Sequence, residues 1–396
     1  MLAGRRLLWI VAEDWFFRLH YLPLATALVD AGAEVHLAAR CGRRGPAAAA
    51  AIRDAGIQVH PLIRLDRTGL DPLADLRAIS ELTALCRTLS PDLVQCVALK
   101  PVLYGTLAAE RAGIPVRLAW LPGLGHVFTG TSLKARLLRP GVSLLLRRVL
   151  GPAAVTPMVL NADDRSAVAR LSGRPAGSVV VMPGTGVDLD RFVATPEPDG
   201  PTVVAFVGRM LEEKGLADLL AAARLLRDRG SPVRVRLVGA PDPESPTAIP
   251  ETRLRAWAAE GAIDWSGQTD DVAAVWRQAH IAVLPSYREG LGMSVLEAAA
   301  CGRPAVATDV PGCREAVDPG VTGLLVPPHD PPALASAIAD LARNTEGRRA
   351  MGTAARSRVE QRFSLTAVRE SLIELYEQRL VEPRAARHQS GHKRLW

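Results

Sequence analysis

Short apolar runs alternate with longer stretches of helical periodicity from one end of the chain to the other. In the first half, the runs at 7–12, 34–39, 93–97, 116–120 and 154–160 predict buried strands. Helices are expected at 22–31 and 71–89, the second with Asp71 as N-cap and Pro72 just inside it. In the second half, strands are expected at 202–207, 233–238, 281–284, 304–308 and 323–326. Helices at 216–227, 270–279, 293–300 and 332–343 lie between them. Strands alternating with helices predict an α/β architecture with parallel sheets. The polar, Pro-rich stretch Ala194-Thr-Pro-Glu-Pro-Asp-Gly-Pro201 leads into a fresh strand, which suggests a linker. The expected organisation is therefore two Rossmann-like domains, 1–195 and 196–380, facing a cleft. A basic, loose tail at 381–396 follows.

Composition narrows the function classes. With 396 residues, 48% hydrophobic and 22% charged, the chain has ample material for two cores. No apolar stretch approaches the roughly 18–20 residues of a spanning helix. The run after Arg5-Arg6 stops at Glu13-Asp14, too short for a signal peptide, so a cytoplasmic protein is expected. Five cysteines without C-x-x-C spacing suggest reduced thiols, not bridges or a zinc site. The net charge is +7. Residues 1–198 hold 23 Lys and Arg against 16 Asp and Glu, whereas 199–396 hold 25 of each, so the excess lies in the first half. Aromatic residues make up 4%, and no basic stripe carries interleaved aromatics, which argues against nucleic acid as a partner.

Two constellations carry chemistry. In Glu289-Gly-Leu-Gly-Met-Ser-Val-Leu-Glu297, two glutamates flank Gly290 and Gly292 and the start of a helix. The glycines allow close backbone approach to a ligand, and the helix N-terminus offers N–H groups to a phosphate. On spacing alone, a loop glutamate and a solvated helix glutamate fit equally well. In Val207-Gly-Arg209-Met-Leu-Glu-Glu-Lys214-Gly215, two cations follow a strand end, where α/β folds bind ligands. There they are suited to a diphosphate. Asp188-Leu-Asp190 matches a metal-binding D-x-D only formally.

These segments resemble the family 4 glycosyltransferases of the GT-B fold. Pro285-Ser-Tyr-Arg-Glu289-Gly, Leu296-Glu297-Ala-Ala-Ala-Cys-Gly302, Pro311-Gly-Cys-Arg-Glu315 and Gly320-Val-Thr-Gly323 extend the likeness over residues 200–380. The resemblance implies that Glu289 contacts the donor sugar and Glu297 the donor ribose. It implies that Arg209 and Lys214 hold the diphosphate, with backbone at Gly290, Leu291, Gly292 and Met293 close to sugar and phosphate. It also implies a retaining transfer from a nucleotide-diphosphate sugar, with a UDP-sugar the expected donor, and with no metal or other cofactor.

The first half is similar to bacterial members that extend undecaprenyl-diphosphate-linked sugars for O-antigen, capsule or protein glycosylation. Supporting segments are Lys100-Pro-Val-Leu-Tyr-Gly105, Gly123-Leu-Gly-His126-Val-Phe, Asn161-Ala-Asp-Asp164 and Gly184-Thr-Gly-Val-Asp188. Where many relatives have a Gly-Gly loop after the first strand, this chain has Ala12-Glu-Asp-Trp-Phe-Phe-Arg18-Leu-His20. By this likeness the N-terminal domain binds a lipid-linked saccharide acceptor. Arg18 and His20 are candidates for its diphosphate. His126 is a candidate for contacting the sugar or positioning a proton transfer, with a structural histidine as the alternative.

Residues 131–150 hold five cations, no acids and many leucines, split at Pro140-Gly141 into what reads as two short helices. This stretch suits the surface of an anionic membrane, here the inner face of the cell membrane. An internal helix with leucines packed on the sheet is the other reading. An epimerase on the same fold, a transferase with a soluble acceptor and a non-catalytic scaffold are the rival functions.

Overall fold

The computed structural model describes residues 2–43, 45–65, 71–123, 133–243 and 245–381. It divides into two compact units, one of residues 1–185 with 368–396 and one of residues 186–367.

The first unit is built on a seven-stranded, all-parallel sheet. Its strands are β1 (Arg6–Glu13), β2 (Glu34–Arg40), β3 (Gln58–Pro61), β4 (Leu93–Val97), β5 (Val116–Trp120), β6 (Val155–Val159) and β7 (Val180–Val181). Their order is β3-β2-β1-β4-β5-β6-β7. Strands β4, β5 and β6 are buried along their whole length, as expected of parallel strands covered on both faces. The helix Pro72–Leu89 starts where its sequence places it: the Asp71 carboxylate accepts from the amides of Leu73 and Ala74.

The second unit carries a six-stranded parallel sheet of β8 (Val203–Val207), β9 (Arg234–Val238), β10 (Asp264–Trp265), β11 (Ile281–Leu284), β12 (Ala305–Thr308) and β13 (Gly323–Val326). The order is β10-β9-β8-β11-β12-β13. Both sheets therefore reverse their winding next to their first strand, at β1/β4 and at β8/β11. Side chains that follow those strands meet at the crevice where doubly wound sheets bind ligands.

Two expectations are corrected. The units do not divide at 195/196. Residues 186–195 belong to the second unit, because Val187 pairs with the 363–365 segment and arginines hold the carbonyls of Phe192 and Thr195. The helix Leu365–Val381 runs back to the first unit, where Arg369 donates to the Pro23 carbonyl and the buried Tyr376 hydroxyl to Gln95 Oε1. The basic leucine-rich stretch is also one helix, Leu133–Leu150, and Pro140 does not split it. Proline removes one helix hydrogen bond, but Leu146, Val149 and Leu150 are buried in the core and hold the helix to the sheet. Residues 382–396 lie outside the described residues.

Candidate active site

The site of the second unit is assembled on the carboxyl edge of its sheet, at the β8/β11 reversal. Arg209 and Lys214 follow β8, and Glu289 follows β11. Glycines permit this crowding. At Gly239 φ is +141°, and a Cβ there would stand 1.8 Å from the Gly208 carbonyl oxygen. At Gly215 φ is +69°, and a Cβ would stand 2.0 Å from the Pro285 oxygen. The turn that carries Lys214 thus lies directly on the loop that leads to Glu289, and Tyr287 N–H donates to the Glu213 carbonyl at 2.9 Å.

Lys214 and Glu289 meet: Nζ stands 2.5 Å from Oε1, with both side chains largely shielded from solvent. The Ser286 hydroxyl donates to the same oxygen at 2.7 Å. The Thr308 hydroxyl in turn donates to the Ser286 carbonyl. Behind Glu289, Gly312 opens the helix Pro311–Ala316, and a Cβ on it would lie 2.6 Å from the Glu289 carbonyl oxygen. The carboxylate is therefore fixed from several sides by short contacts. Such a group can orient a hydroxyl-rich ligand without reorganising.

Arg209 is half exposed and anchored at 3.0 Å by Asp242, whose carboxylate is buried. This pair leaves part of the guanidinium facing outward beside Lys214's turn. Gly290, Leu291 and Gly292 form the approach to the helix Met293–Ala300, whose N-cap Gly292 supplies no side-chain cap. Glu297 lies half-buried one turn into this helix. Burial pushes its carboxyl up to about 7, with the Arg191 charge and the Trp276 indole offsetting part of the effect. A carboxyl raised by burial in this way is a candidate functional group.

Of the expected first-unit residues, Arg18 is exposed on the short helix Asp14–His20, and the His20 ring packs 4.6 Å from Phe16. His126 lies outside the described residues. The sequence reading missed Asp242, for which a Pro-Asp-Pro turn gives no signal. It also missed Ser286 and Gly312, which lie inside quoted motifs but act through contacts that only folding creates. Asp188 accepts the amides of Asp190 and Arg191 and so closes a turn.

Residues 201–344 match the family described as Glycosyl transferases group 1, and residues 20–185 match the Glycosyl transferase 4-like domain. The chain is 30% identical over 271 residues to the N,N'-diacetylbacillosaminyl-diphospho-undecaprenol alpha-1,3-N-acetylgalactosaminyltransferase of Campylobacter jejuni, covering 65% of this chain and 69% of that protein. The chain belongs to the group 1 glycosyl transferases. Another relative, the D-inositol 3-phosphate glycosyltransferase of Saccharomonospora viridis, is 34% identical over 301 residues, covering 69% of this chain and 66% of that one. Among solved structures, Anabaena HepE in complex with UDP-glucose superposes with a TM-score of 0.73 at 19% identity, covering 94% of this chain and 99% of that one. This likeness is one of fold and places the two parallel-sheet units in the GT-B class. Of the residues expected from sequence, the structure brings Lys214 and Glu289 into contact and sets Arg209 after the same strand, β8, that leads to Lys214.

Proposed function

We propose that this glycosyltransferase moves a hexosyl unit, with retention, from a UDP-sugar to a saccharide carried on undecaprenyl diphosphate in bacterial surface-glycan synthesis. The observation that carries the reading is the Lys214–Glu289 pair beside Arg209 at the β8/β11 edge. Arg209 and Lys214 hold the diphosphate and stabilise the charge that develops on it as the glycosidic bond breaks. Glu289, held by Lys214 and Ser286, binds the donor sugar, and Glu297 binds the ribose diol. The departing phosphate oxygen takes the acceptor hydroxyl's proton on the face it leaves, so the new bond forms on the same side. These fixed cations and amide dipoles do the work assigned elsewhere to a divalent metal, and no cofactor is needed.

UDP as the nucleotude's identity is supported by the UDP-glucose complex of HepE, and the lipid-linked acceptor by the name of the Campylobacter relative. In this reading the first unit takes the acceptor, with Arg18 and His20 on its diphosphate and His126 at its sugar. The chain lies on the inner face of the membrane through the helix Leu133–Leu150. Leu137 and Leu144, 72% and 70% exposed and two turns apart, share one face of that helix. Arg148 is bound by Glu110 at 3.0 and 3.1 Å, so the leucines and Arg147 carry more of the contact than the charge count suggested. No helix among the described residues is long and apolar enough to cross a membrane.

The second reading, a soluble acceptor, is favoured by the inositol phosphate relatives. Transfer assays in excess chelator, with a panel of UDP-sugars and either a polyprenyl-diphosphate saccharide or D-inositol 3-phosphate, decide between them. Product on the lipid carrier, abolished by Lys214→Ala, is the expected result. Product on the inositol phosphate alone overturns the acceptor. Isomerised donor in the absence of any acceptor identifies an epimerase, and no turnover with any donor identifies a scaffold.

A further inference from the structure

The opposite edge of the second sheet holds a separate cavity. It has a volume of about 560 Å³, within the ordinary range for small-molecule sites. One wall is the segment 194–197 that leads towards the start of β8. Another is Gly302–Arg303, just ahead of β12. Both lie before the strands begin. In a parallel sheet this is the edge remote from Lys214 and Glu289, which follow strand ends. The third wall is the helix Thr345–Arg358. Gly352 lets it pack backbone to backbone, since a Cβ there would lie 2.2 Å from the Gly302 oxygen. Arg349, Thr353, Arg356 and Ser357 stand on one face of this helix and line the cavity.

The charges around this cavity do not balance. Arg303 is 1% exposed. It spends its donors on the carbonyls of Thr195, Pro196, Trp276 and Arg277 and on the Thr195 hydroxyl, and among the described residues it has no carboxylate partner. Glu197 is shared by Arg348 and Arg349, and Glu360 pairs with Arg356. Among the residues that line the cavity, the guanidinium groups of Arg303, Arg349 and Arg356 thus face the one carboxylate of Glu197. Arg349 bonds to Glu197 through Nε alone, and Arg356 uses Nε and Nη1, which leaves guanidinium N–H groups of both for a ligand. The charge that acts on the buried Arg303, Glu197, is already paired with two other arginines, and an anion beside it lowers the cost of burying the guanidinium.

We propose that this cavity binds a phosphorylated small molecule of about the size of a sugar phosphate, its dianionic phosphate lying against Arg349, Arg356 and Ser357. The excess of two positive charges matches the charge of a phosphate monoester, and guanidinium forks suit its geometry. The site is separate from the donor site and does not depend on the function proposed for it.

The test is calorimetric titration of the full chain with glucose 1-phosphate and inorganic phosphate, against glucose and chloride at matched ionic strength. The variants are Ser357→Asp, Arg349→Gln and Lys214→Ala. Ser357 is exposed, so its substitution places a negative charge in the cavity without touching the core. Glucose 1-phosphate should bind and glucose should not. Ser357→Asp and Arg349→Gln should each weaken binding by about tenfold or more, and Lys214→Ala should leave it unchanged. Binding lost in Lys214→Ala but kept in Ser357→Asp places the anion in the donor site and overturns the proposal. So does wild-type affinity in both cavity variants, binding of inorganic phosphate without the ester, or no binding beyond the chloride control.

Discussion

Glu297 couples the proposed function to stability. Its carboxyl is raised from 4.5 to about 7 because burial penalises the charged form more than Arg191 and Trp276 favour it. The folded state therefore holds a proton that the unfolded chain gives up at lower pH. Stability contributed by this group is full below about pH 4.5, falls as pH rises through the window up to about 7, and is level beyond it. The displacement corresponds to roughly 3 kcal/mol at most, and about 1–3 kcal/mol is expected because the side chain is only half-buried. Glu297→Gln removes the ionisation and keeps the shape. Its stability relative to wild type should rise with pH between 4.5 and 7 and reach that gain at pH 8, while donor binding falls. Urea melts of both proteins across pH 5–8 measure it, and titrations common to both cancel in the difference. A variant no more stable than wild type at pH 8, or a difference that does not change with pH, would refute the reasoning.

Gly312→Ala would press a methyl group onto the Glu289 backbone at 2.6 Å. It should cost about 1–3 kcal/mol of stability and lower turnover with any donor; unchanged kcat and KM would show that Gly312 does not position Glu289. His280 accepts from Val203 N–H at Nδ1 and faces the Pro198 carbonyl at 2.9 Å with Nε2. Burial lowers its pKa, so the unfolded chain binds the proton first and stability should drop as pH falls below about 6.5. The pH slope of the urea midpoint should be shallower in His280→Asn, and an identical slope would contradict this account. Leu137→Ser with Leu144→Ser should reduce sedimentation with anionic liposomes without lowering the melting temperature, because both leucines are exposed. Equal sedimentation of variant and wild type would remove this helix from the membrane contact.

The alternation of apolar runs and helical stretches carries the architecture because a buried parallel strand must be apolar throughout, and that is a local property. Strands 93–97, 116–120, 281–284 and 323–326 have the bounds read from sequence. Short edge strands such as Asp264–Trp265 are invisible to this reading, since partly exposed residues pair there on the strength of a neighbour already in place. Helices rich in charge, such as Thr345–Arg358, lack the apolar face that would announce them. The site shows the same division. Arg209, Lys214, Glu289 and Glu297 are legible as charged residues next to strand ends and glycines. That Lys214 touches Glu289 is not, because 75 residues separate them and β8 and β11 become neighbours only in the folded sheet. The pull of 186–195 into the second unit is likewise tertiary. A Pro-rich stretch reads as a free linker until arginines more than 100 residues away take its carbonyls. Burial of the Glu297 carboxyl and the unbalanced charge of Arg303 belong to the same class, since desolvation is set by what packs around a group and not by its neighbours in sequence.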